Sequence, residues 1–171
     1  MNKLPEAYFP VYYGKSGTGK SYLAGSDIED VIIDYGTFTV ILDKGRDHLE
    51  LARKLNLDMI TVDPEFISSD SSPEFWAEYI KGAYQKEDLN GIWIGLNDDK
   101  SYSLSDTMKL GNDVAGGMYM AGGRDMPRYF YIGELKNFAP DRADKSDIYY
   151  IIQCITEGRK EGCRTGSDSQ K

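Results

Sequence analysis

The chain carries 171 residues, of which 40% are hydrophobic and 28% charged, and its net charge is −8. These values are typical of one folded domain with a hydrophobic core and exclude a disordered chain. No apolar run reaches the length of a membrane span or a signal peptide. The acidic balance also excludes a protein that coats nucleic acid through bulk charge, but permits a ring that touches DNA through a few loop residues.

The first strongly patterned stretch runs from residue 14 to residue 21, with the sequence GKSGTGKS. It matches G-x-x-x-x-G-K-[ST] at every fixed position, follows an apolar run at 9–13 that predicts a strand, and precedes a predicted helix start at 21–24. The predicted nucleotide-binding residues are Gly14, Lys15, Ser16, Gly17, Thr18, Gly19, Lys20 and Ser21.

These residue types suit the binding of phosphate. The glycines let successive backbone N–H groups point at one anion, and the following helix adds its positive end. Lys20 can reach the β- and γ-phosphates, and the Ser21 hydroxyl can bind Mg²⁺. The sequence therefore predicts a nucleotide phosphate site; the alternative is a glycine- and serine-rich turn that matches by chance.

The remaining chain alternates between predicted helices and strands. Apolar residues at helical spacing predict helices at 21–35, 47–55, 73–84, 105–120 and 146–155. Apolar and β-branched runs predict strands at 37–42, 59–62, 92–96 and 128–132. Three glycines interrupt the helical pattern at 105–120, 68–73 is expected to be a polar loop, and 165–171 is expected to be a polar tail.

Several helix ends have predicted caps. Asp47 is expected to cap the second helix, and Ser71 with Glu74 to form a capping box for the third. Ser146 or Asp147 is expected to cap the last helix. The one histidine, His48, lies in a charged stretch and is expected to be a surface residue at a helix start. With a single histidine in the chain, metal or triad chemistry that depends on histidine is not expected.

The order of elements predicts an α/β fold. Strands that alternate with helices and are apolar throughout are typical of a mainly parallel sheet covered on both faces. We therefore expect a three-layer P-loop NTPase fold over residues 1–171, with the phosphate loop at the carboxyl end of the first strand. With such a loop, the two cysteines, Cys154 and Cys163, favour a reducing, intracellular setting over a disulfide framework.

A second half of the site is predicted near residue 134. Hydrolysis of a nucleotide needs a carboxylate that orients or activates water, and the end of an apolar strand is the expected place. Glu134 follows the apolar run at 129–132 and is the candidate for water activation. The alternative for Glu134 is a solvated acid after a strand.

Three segments resemble the HerA/FtsK superfamily of DNA-pumping ATPases, and the first two, in this order, are the ones that indicate this branch. Residues 134–140, ELKNFAP, are similar to the family's Walker B tail, in which an Asp-Glu pair precedes an Asn, an apolar residue and Pro. Residues 158–162, GRKEG, resemble the Gly-Arg-Lys-x-Gly segment after the next helix, and residues 168–170, DSQ, resemble the polar end of the next strand. The resemblance spans nearly the whole chain, whereas the phosphate-loop match is common to all P-loop proteins.

The resemblance implies a role for each matched residue of the nucleotide site. Lys20 and Ser21 would bind the phosphates of ATP and Mg²⁺. Glu134 would activate water and contact Mg²⁺ through a water molecule, and Gln170 would sense the γ-phosphate. Asp43 matches a further acidic position near the nucleotide.

The resemblance also implies a residue that acts on a neighbouring subunit. Arg159 would be an arginine finger that enters the neighbour's site, which would couple hydrolysis to motion of a ring. Arg164 is the second choice for this role. The alternative for Arg159 is a solvated arginine at a helix end, where the helix dipole favours it.

The sequence departs from the family pattern in three places. Gly133 stands where the family has the Walker B Asp, so either hydrolysis is slow or Asp43 compensates. Residues 165–167, TGS, stand where an apolar strand is expected, which predicts a weak last strand. The chain ends at Lys171, where family members continue, so the 1–171 core is expected to lack the family's C-terminal strands.

The resemblance implies an ATP-driven translocase of double-stranded DNA that works as a homo-hexameric ring. A bare ATPase core is similar to the genome-packaging ATPases of membrane-containing viruses, which places the protein in the host cytoplasm or the virion. One alternative is a P-loop kinase or small-molecule NTPase, although no arginine-rich lid is recognisable. Another is a nucleotide-binding subunit with weak catalysis.

Contacts to DNA are expected from loops that face the pore of the ring. The candidates are the loop at 97–102 with Lys100 and the loop at 122–128 with Arg124 and Arg128. Few basic residues are needed in each subunit, because a ring multiplies them and the phosphate backbone is bound without base readout. For each residue taken singly, an ordinary surface charge is the favoured interpretation.

Overall fold

The computed structural model describes residues 4, 5, 8, 10–14 and 19–170, with the side chains of residues 169 and 170 outside that description. The strands in this part of the chain are β1 (Val11–Gly14), β2 (Phe38–Asp43), β3 (Leu57–Val62), β4 (Gly91–Leu96), β5 (Arg128–Ile132) and β6 (Cys163–Gln170). They form one parallel sheet in the order β1-β6-β5-β2-β4-β3. All strands therefore end at one edge of the sheet, the carboxyl edge, and begin at the opposite amino edge.

Helices cover both faces of this sheet. They are α1 (Lys20–Ile33), α2 (Leu49–Lys54), α3 (Pro64–Ser69), α4 (Pro73–Tyr84), α5 (Leu104–Met120) and α6 (Tyr149–Thr156). α1 and α2 contribute to the hydrophobic core on one face, and α3 to α6 to the core on the other. The predicted three-layer α/β fold is confirmed. Within the described ranges, no helix is both long and apolar enough to cross a membrane.

The alternation of side chains along β2 shows why its sequence is largely apolar. Val40 and Leu42 pack into the core beneath α4 to α6, whereas Ile41 packs into the core beneath α1. A strand in the middle of a covered parallel sheet is buried on both faces, so both sets of alternating positions must be apolar. Apart from Thr39, whose hydroxyl donates to the carbonyl of Thr37 at 3.0 Å, the strand is polar only at Asp43, where it reaches the carboxyl edge.

The glycines of α5 allow close packing instead of breaking the helix. A Cβ atom at Gly117 would lie 2.5 Å from the Cβ of Trp76 on α4, and one at Gly111 would lie 2.8 Å from the Cβ of Phe138. Both distances are shorter than real side chains show, so only glycine lets these elements approach so closely. The predicted helix at 105–120 is confirmed despite its interrupted pattern.

The prediction of a polar tail and a weak last strand is wrong. β6 lies inside the sheet between β1 and β5, and its residues 165–168 are buried. A Cβ atom at Gly166 would lie 2.1 Å from the hydroxyl oxygen of Tyr129, so the strand needs glycine there to admit the tyrosine ring. The buried Ser167 backbone N–H donates to the carbonyl of Pro10 at 3.1 Å, which satisfies a polar group without an apolar sequence.

The predicted cap at the start of α4 is one residue out. Ser72 caps this helix, because the Phe75 N–H donates to its hydroxyl at 3.0 Å. Ser71 is buried instead, where it donates to Asp113 at 2.8 Å and accepts from the indole of Trp76 at 3.0 Å. Two neighbouring serines have equal capping propensity, so only the tertiary contacts decide between them.

The other predicted caps are also wrong, and one helix was not predicted. α2 follows His48 and α6 follows Ile148, and neither helix start has a side-chain capping bond. The short helix α3 at Pro64–Ser69 begins where a strand stop was expected and occupies the start of the predicted loop at 68–73. Proline at the first position suits this helix start because its missing N–H would have no helical partner.

Candidate functional site

The ends of β1 and α1 frame the predicted phosphate loop. β1 ends at Gly14 and α1 begins at Lys20, directly after Gly19, whose φ of 84° is in the left-handed region that glycine tolerates. Ser21 lies half-buried in the first turn of α1. The other predicted loop residues, at positions 15–18, lie outside the described part of the chain.

Lys20 is a buried lysine at the carboxyl edge. Its Nζ lies 3.9 Å from Oδ2 of Asp168 and 3.5 Å from the carbonyl oxygen of Gly14. Both distances are long for hydrogen bonds, which are usually between 2.7 and 3.2 Å. The ammonium is thus held at the start of α1 by electrostatic attraction, with weak direct bonding to the described residues.

Three strands bring a row of residues together beside Lys20. In the parallel register, Leu42 of β2 is opposite Ile132 of β5, and Ile132 is opposite Ser167 of β6. The next residues along these strands are an acid, a glycine and an acid: Asp43, Gly133 and Asp168. Both carboxyl groups are buried, with exposed fractions of 3% and 2%.

The two acids of this row converge on Gly133. A Cβ atom at Gly133 would lie 3.2 Å from Oδ1 of Asp43 and 3.9 Å from Oδ1 of Asp168. The two oxygens are therefore no more than about 7 Å apart, on either side of the glycine. The space that a side chain at Gly133 would enter is bordered by carboxylates from both neighbouring strands.

Asp43 is fixed by donors from two other elements. The His48 backbone N–H donates to its Oδ2 at 3.1 Å and the Trp93 indole N–H at 3.2 Å. Burial raises the pKa of Asp43 above its usual value, and these donors and the charge of His48 oppose the shift in part. Gly95 makes room for the indole, because a Cβ atom there would lie 2.0 Å from the ring.

The prediction that His48 is a surface residue is wrong. His48 is 3% exposed, and its ring packs edge-on against the ring of Tyr131, with 5.2 Å between centroids. The loop after β2 folds back over the end of the strand, so that His48 closes the space next to Asp43. The charged neighbours of His48 in the sequence suggested exposure, but they do not share its position in the fold.

Glu134 has an unusual backbone conformation at the end of β5. Its φ is 52° and its ψ is 68°, a left-handed conformation that costs a non-glycine residue about 1–2 kcal/mol. The Glu134 backbone N–H donates to Oδ1 of Asp168, and the Asn137 side-chain amide donates to Oε2 of Glu134 at 2.7 Å. Strain of this kind is concentrated at functional sites, where neighbouring contacts enforce it.

Tyr131 adds a buried hydroxyl to the same face of the sheet. The residue is fully buried, and its hydroxyl has no hydrogen-bond partner of good geometry in the described ranges. Burial raises the pKa of Tyr131 far above its usual value, and the charge of the nearby Asp168 adds to the shift. The hydroxyl is therefore neutral and remains able to donate a proton in a hydrogen bond.

These residues fit Mg²⁺ that arrives with a nucleotide. No group of three or more His, Cys, Asp or Glu side chains in the described ranges is arranged to hold a metal ion alone. Mg²⁺ commonly uses only one or two carboxylates and takes its other ligands from water and substrate phosphates. Ser21 and the carboxylates of Asp168 and Glu134 provide the hard oxygen atoms that this mode of binding requires.

Comparison with solved structures identifies a protein with the same arrangement of elements. The neighbours include structures of the genome packaging NTPase B204 from Sulfolobus turreted icosahedral virus 2, in complex with sulfate, AMP and AMPPCP. Their TM-scores are 0.57, 0.56 and 0.55, and their sequence identities are 14%, 14% and 15%. The chain shares its fold with this packaging NTPase.

The extent of that match is unequal for the two proteins. Each alignment covers 98% of this chain but only 66%, 67% and 67% of the B204 chain. The chain thus spans about two thirds of the length of the packaging NTPase that it matches. No protein-family model and no curated protein matches the sequence. The similarity therefore establishes the fold, and the activity must be argued from the site.

The predicted arginine finger lies far from this site. Arg159 is exposed in a 3₁₀ turn at Gly158–Glu161, directly before β6, and so lies at the amino edge. Arg164 is half-buried in β6 near that edge, and its Nε donates to the carbonyl of Pro5 at 3.4 Å. Gln170 ends β6 next to Gly14, but its side chain is outside the described part of the structure.

The predicted DNA loops lie at opposite edges of the sheet. Lys100 is exposed in the loop after β4, at the carboxyl edge, whereas Arg124 is exposed in the loop before β5, at the amino edge. The suggestion that Arg128 contacts DNA is wrong. It is fully buried, and its guanidinium donates to backbone carbonyls, including those of Met118 at 2.9 Å and Glu161 at 2.8 Å.

Asp168 is the site residue that residue-by-residue reasoning missed. The sequence predicts residues 168–170 to be the polar end of a strand, by resemblance, or part of a polar tail at 165–171, and it assigns Asp168 itself no role. The signal that could have found it is the position of an acid two residues before the polar end of a strand. Its contacts with Lys20 and Glu134 join residues that are 114 positions apart in the sequence.

Proposed function

We propose that the protein hydrolyses ATP at the carboxyl edge of its sheet and uses the energy to move double-stranded DNA, as a genome-packaging motor. The observation that carries this proposal is the convergence of Lys20, Asp168 and the strained Glu134 at the ends of neighbouring strands. The fold that the chain shares with a viral packaging NTPase supports the choice of motor over other NTPases.

Each residue near the nucleotide would have a distinct task. Lys20 would leave its long contact with Asp168 to bind the β- and γ-phosphates. Ser21 would bind Mg²⁺, which when present would neutralise charge on the phosphates. Glu134, oriented by the amide of Asn137, would accept a proton from the attacking water, and Gln170 would sense the γ-phosphate.

The position of Arg159 supports action on a neighbouring subunit. β6 has eight residues, so the amino edge and the carboxyl edge are separated by roughly 25 Å along this strand. An arginine side chain cannot cover this distance, so Arg159 cannot reach the nucleotide of its own chain. A ring in which the amino edge of one subunit meets the carboxyl edge of the next would bring Arg159 to a phosphate.

Contacts to DNA would come from exposed loops. Lys100 and Arg124 remain candidates, and the burial of Arg128 removes it from this role. With a net charge of −8, the subunit would repel DNA over most of its surface. The contacts would therefore be few in each subunit, and a hexameric ring would multiply them.

The first experiment measures ATP hydrolysis with Mg²⁺, with and without double-stranded DNA, for the wild type, Glu134→Gln and Glu87→Gln. We expect turnover that rises with DNA, disappears in Glu134→Gln and is unchanged in Glu87→Gln, whose side chain is exposed far from the site. Turnover that ignores DNA would favour a small-molecule NTPase. ATP binding without turnover would indicate a nucleotide-binding subunit.

A mixing experiment tests the arrangement of subunits. Arg159→Ala and Glu134→Gln are each expected to be inactive alone. In a mixed ring, the Glu134→Gln subunit supplies Arg159 to a neighbour whose own Glu134 is intact, so part of the activity should return. If the mixture stays inactive although the subunits assemble, the role of Arg159 in a neighbouring site is wrong.

A further inference from the structure

We propose that Asp168 on β6 supplies the buried carboxylate that the Walker B position lacks at Gly133, and that it makes nucleotide binding dependent on Mg²⁺. This inference rests on the proposed function, since it assigns a positioning residue to the same nucleotide site. Asp168 holds Lys20 and the Glu134 backbone, and its negative charge acts on the bound nucleotide from β6, the strand next to the one that Gly133 follows.

The parallel register places Asp168 next to Gly133. Gly133 and Asp168 occupy equivalent positions on adjacent strands, one residue beyond the pair Ile132 and Ser167. Side chains at such positions project from the same face of the sheet. Asp168 therefore presents its carboxyl group on the face that carries Tyr131 and α1, where a side chain at Gly133 would also project.

The space beside Gly133 is already bordered by two carboxylates. The carboxylate oxygens of Asp43 and Asp168 lie 3.2 Å and 3.9 Å from the point where a Cβ atom would be. An aspartate at position 133 would place a third carboxylate between two that are already buried. Like charges at such distances repel strongly in a buried site. Position 133 must therefore stay small and uncharged because Asp43 and Asp168 lie on either side of it. The glycine is a consequence of these two acids, and not simply a lost functional side chain.

Asp168 contacts two other residues of the proposed nucleotide site. Its Oδ2 faces the Lys20 ammonium at 3.9 Å, and its Oδ1 accepts the Glu134 backbone N–H. One carboxylate therefore joins the lysine that would bind phosphate to the residue that would activate water. Among the described residues, the partners of Asp43 are different, because its Oδ2 accepts from the His48 backbone N–H and the Trp93 indole.

The charge of Asp168 should have opposite effects on the affinity for metal-free nucleotide and for Mg²⁺-nucleotide. Metal-free ATP is an anion that a buried carboxylate repels, whereas in Mg²⁺-ATP the Mg²⁺ ion partly neutralises the phosphates and is itself attracted by a nearby carboxylate. The neutral variant Asp168→Asn keeps the size of the side chain and an oxygen that accepts from Glu134. It should therefore bind metal-free nucleotide more tightly and Mg²⁺-nucleotide less tightly than the wild type.

The test measures the Kd of AMPPCP by titration calorimetry, once with Mg²⁺ and once with excess EDTA. We expect Mg²⁺ to tighten binding to the wild type by about tenfold or more, and to have little effect on Asp168→Asn. Asp113→Asn is the matched control, because Asp113 is a buried, ion-paired aspartate on α5, 2.6 Å from Lys109 and outside the site. It should keep the response of the wild type to Mg²⁺.

The outcomes separate the inference from the proposed function. If Asp168→Asn keeps the tightening by Mg²⁺, or if the wild type binds equally with and without Mg²⁺, Asp168 does not have this role, although nucleotide binding stands. If the wild type does not bind AMPPCP, both proposals are overturned. General damage by the substitution would weaken binding in both conditions, which also contradicts the opposite signs expected here.

Gly133→Asp gives a second test, which measures turnover and Tm in place of nucleotide affinity. Restoring the family's acid should raise turnover if Gly133 is a simple loss of function. Our inference predicts lower turnover and a lower Tm of the nucleotide-free protein, because the new carboxylate meets Asp43 and Asp168. Gly133→Asp with turnover above the wild type would overturn the inference.

Discussion

Both the amino edge and the carboxyl edge of the sheet contain a buried cation, but the two cations differ in their hydrogen bonding. At the amino edge, the Arg128 guanidinium donates to four backbone carbonyls at 2.6–3.2 Å, those of Met118, Gly123, Met126 and Glu161. At the carboxyl edge, Lys20 has partners at 3.5 and 3.9 Å among the described residues. The first charge is fully used in holding loops together, whereas the second can exchange its partners for a ligand.

This difference shows that the burial of a charged side chain does not by itself indicate a functional site. A buried group that is saturated with short hydrogen bonds contributes to folding, and replacing it should cost stability. A buried group with long contacts, next to a strained residue such as Glu134, has binding capacity left for another molecule. Substitutions at the two edges should separate these two behaviours.

The largest effect is expected from Arg128→Met at the amino edge. The substitution removes the guanidinium donor from four carbonyls, of which that of Gly123 still accepts from the Met126 N–H, so the free energy of unfolding should fall by about 3 kcal/mol or more. Urea denaturation measures this change. Arg124→Met in the same loop is the control, because Arg124 is exposed and should cost less than about 0.5 kcal/mol. Equal losses in both variants would remove the contrast between the edges.

A smaller effect of a different kind is expected from Lys20→Met at the carboxyl edge. Loss of one charged hydrogen-bond donor to phosphate should weaken ATP binding roughly 10- to 100-fold, while the loss of stability stays below that of Arg128→Met. Calorimetry gives the Kd. Lys54→Met, which removes an exposed lysine paired with Glu29, should leave the Kd unchanged. A Lys20→Met protein that binds ATP normally would contradict the assignment of the site.

The smallest effect concerns the dependence of stability on pH at Asp43. Burial raises the pKa of this carboxyl in the folded state, so the folded protein binds its proton more tightly than the unfolded chain does. Its contribution to stability is therefore most favourable below the unfolded pKa of about 3.9, and is lost as pH rises through the folded pKa. Asp43→Asn should lack this loss.

Urea denaturation of the wild type and Asp43→Asn at several pH values above about 4 checks this expectation. The amide oxygen of asparagine can still accept from His48 and Trp93, so the comparison isolates the charge. The stability of the wild type should fall relative to Asp43→Asn as pH rises. A difference that stays constant with pH, or that changes in the opposite direction, would show that burial of Asp43 has no net effect on its titration.

Much of the carboxyl edge could be predicted from the sequence because its signals are local. The spacing of Gly19, Lys20 and Ser21 after an apolar run predicts a phosphate loop, and Glu134 after a second apolar run predicts an acid at a strand end. The positions of Lys15 to Thr18 and the side chain of Gln170 lie outside the described residues, so those assignments stay predictions. Mg²⁺, the hexamer and the DNA contacts also stay predictions.

The rest of the site could not be read from the sequence because its contacts join distant segments. Asp168 seemed part of a polar tail because β6 is built from small polar residues, and its burial between β1 and β5 is a property of the sheet. His48 seemed exposed because its neighbours are charged, but the loop after β2 turns it toward Tyr131. Arg128 was predicted to contact DNA because it ends a glycine-containing loop, but it is buried and its guanidinium donates to backbone carbonyls.

The class of fold and the order of its elements follow from the amino-acid sequence alone, since the alternation of apolar strands and amphipathic helices depends on local periodicity. The sequence also predicts a phosphate loop, because the backbone freedom and charge that phosphate binding needs lie within eight consecutive residues. Which acids meet depends on contacts between distant segments. The parallel register of β2, β5 and β6 aligns Asp43, Gly133 and Asp168, and no local pattern encodes the register between strands so far apart in the chain.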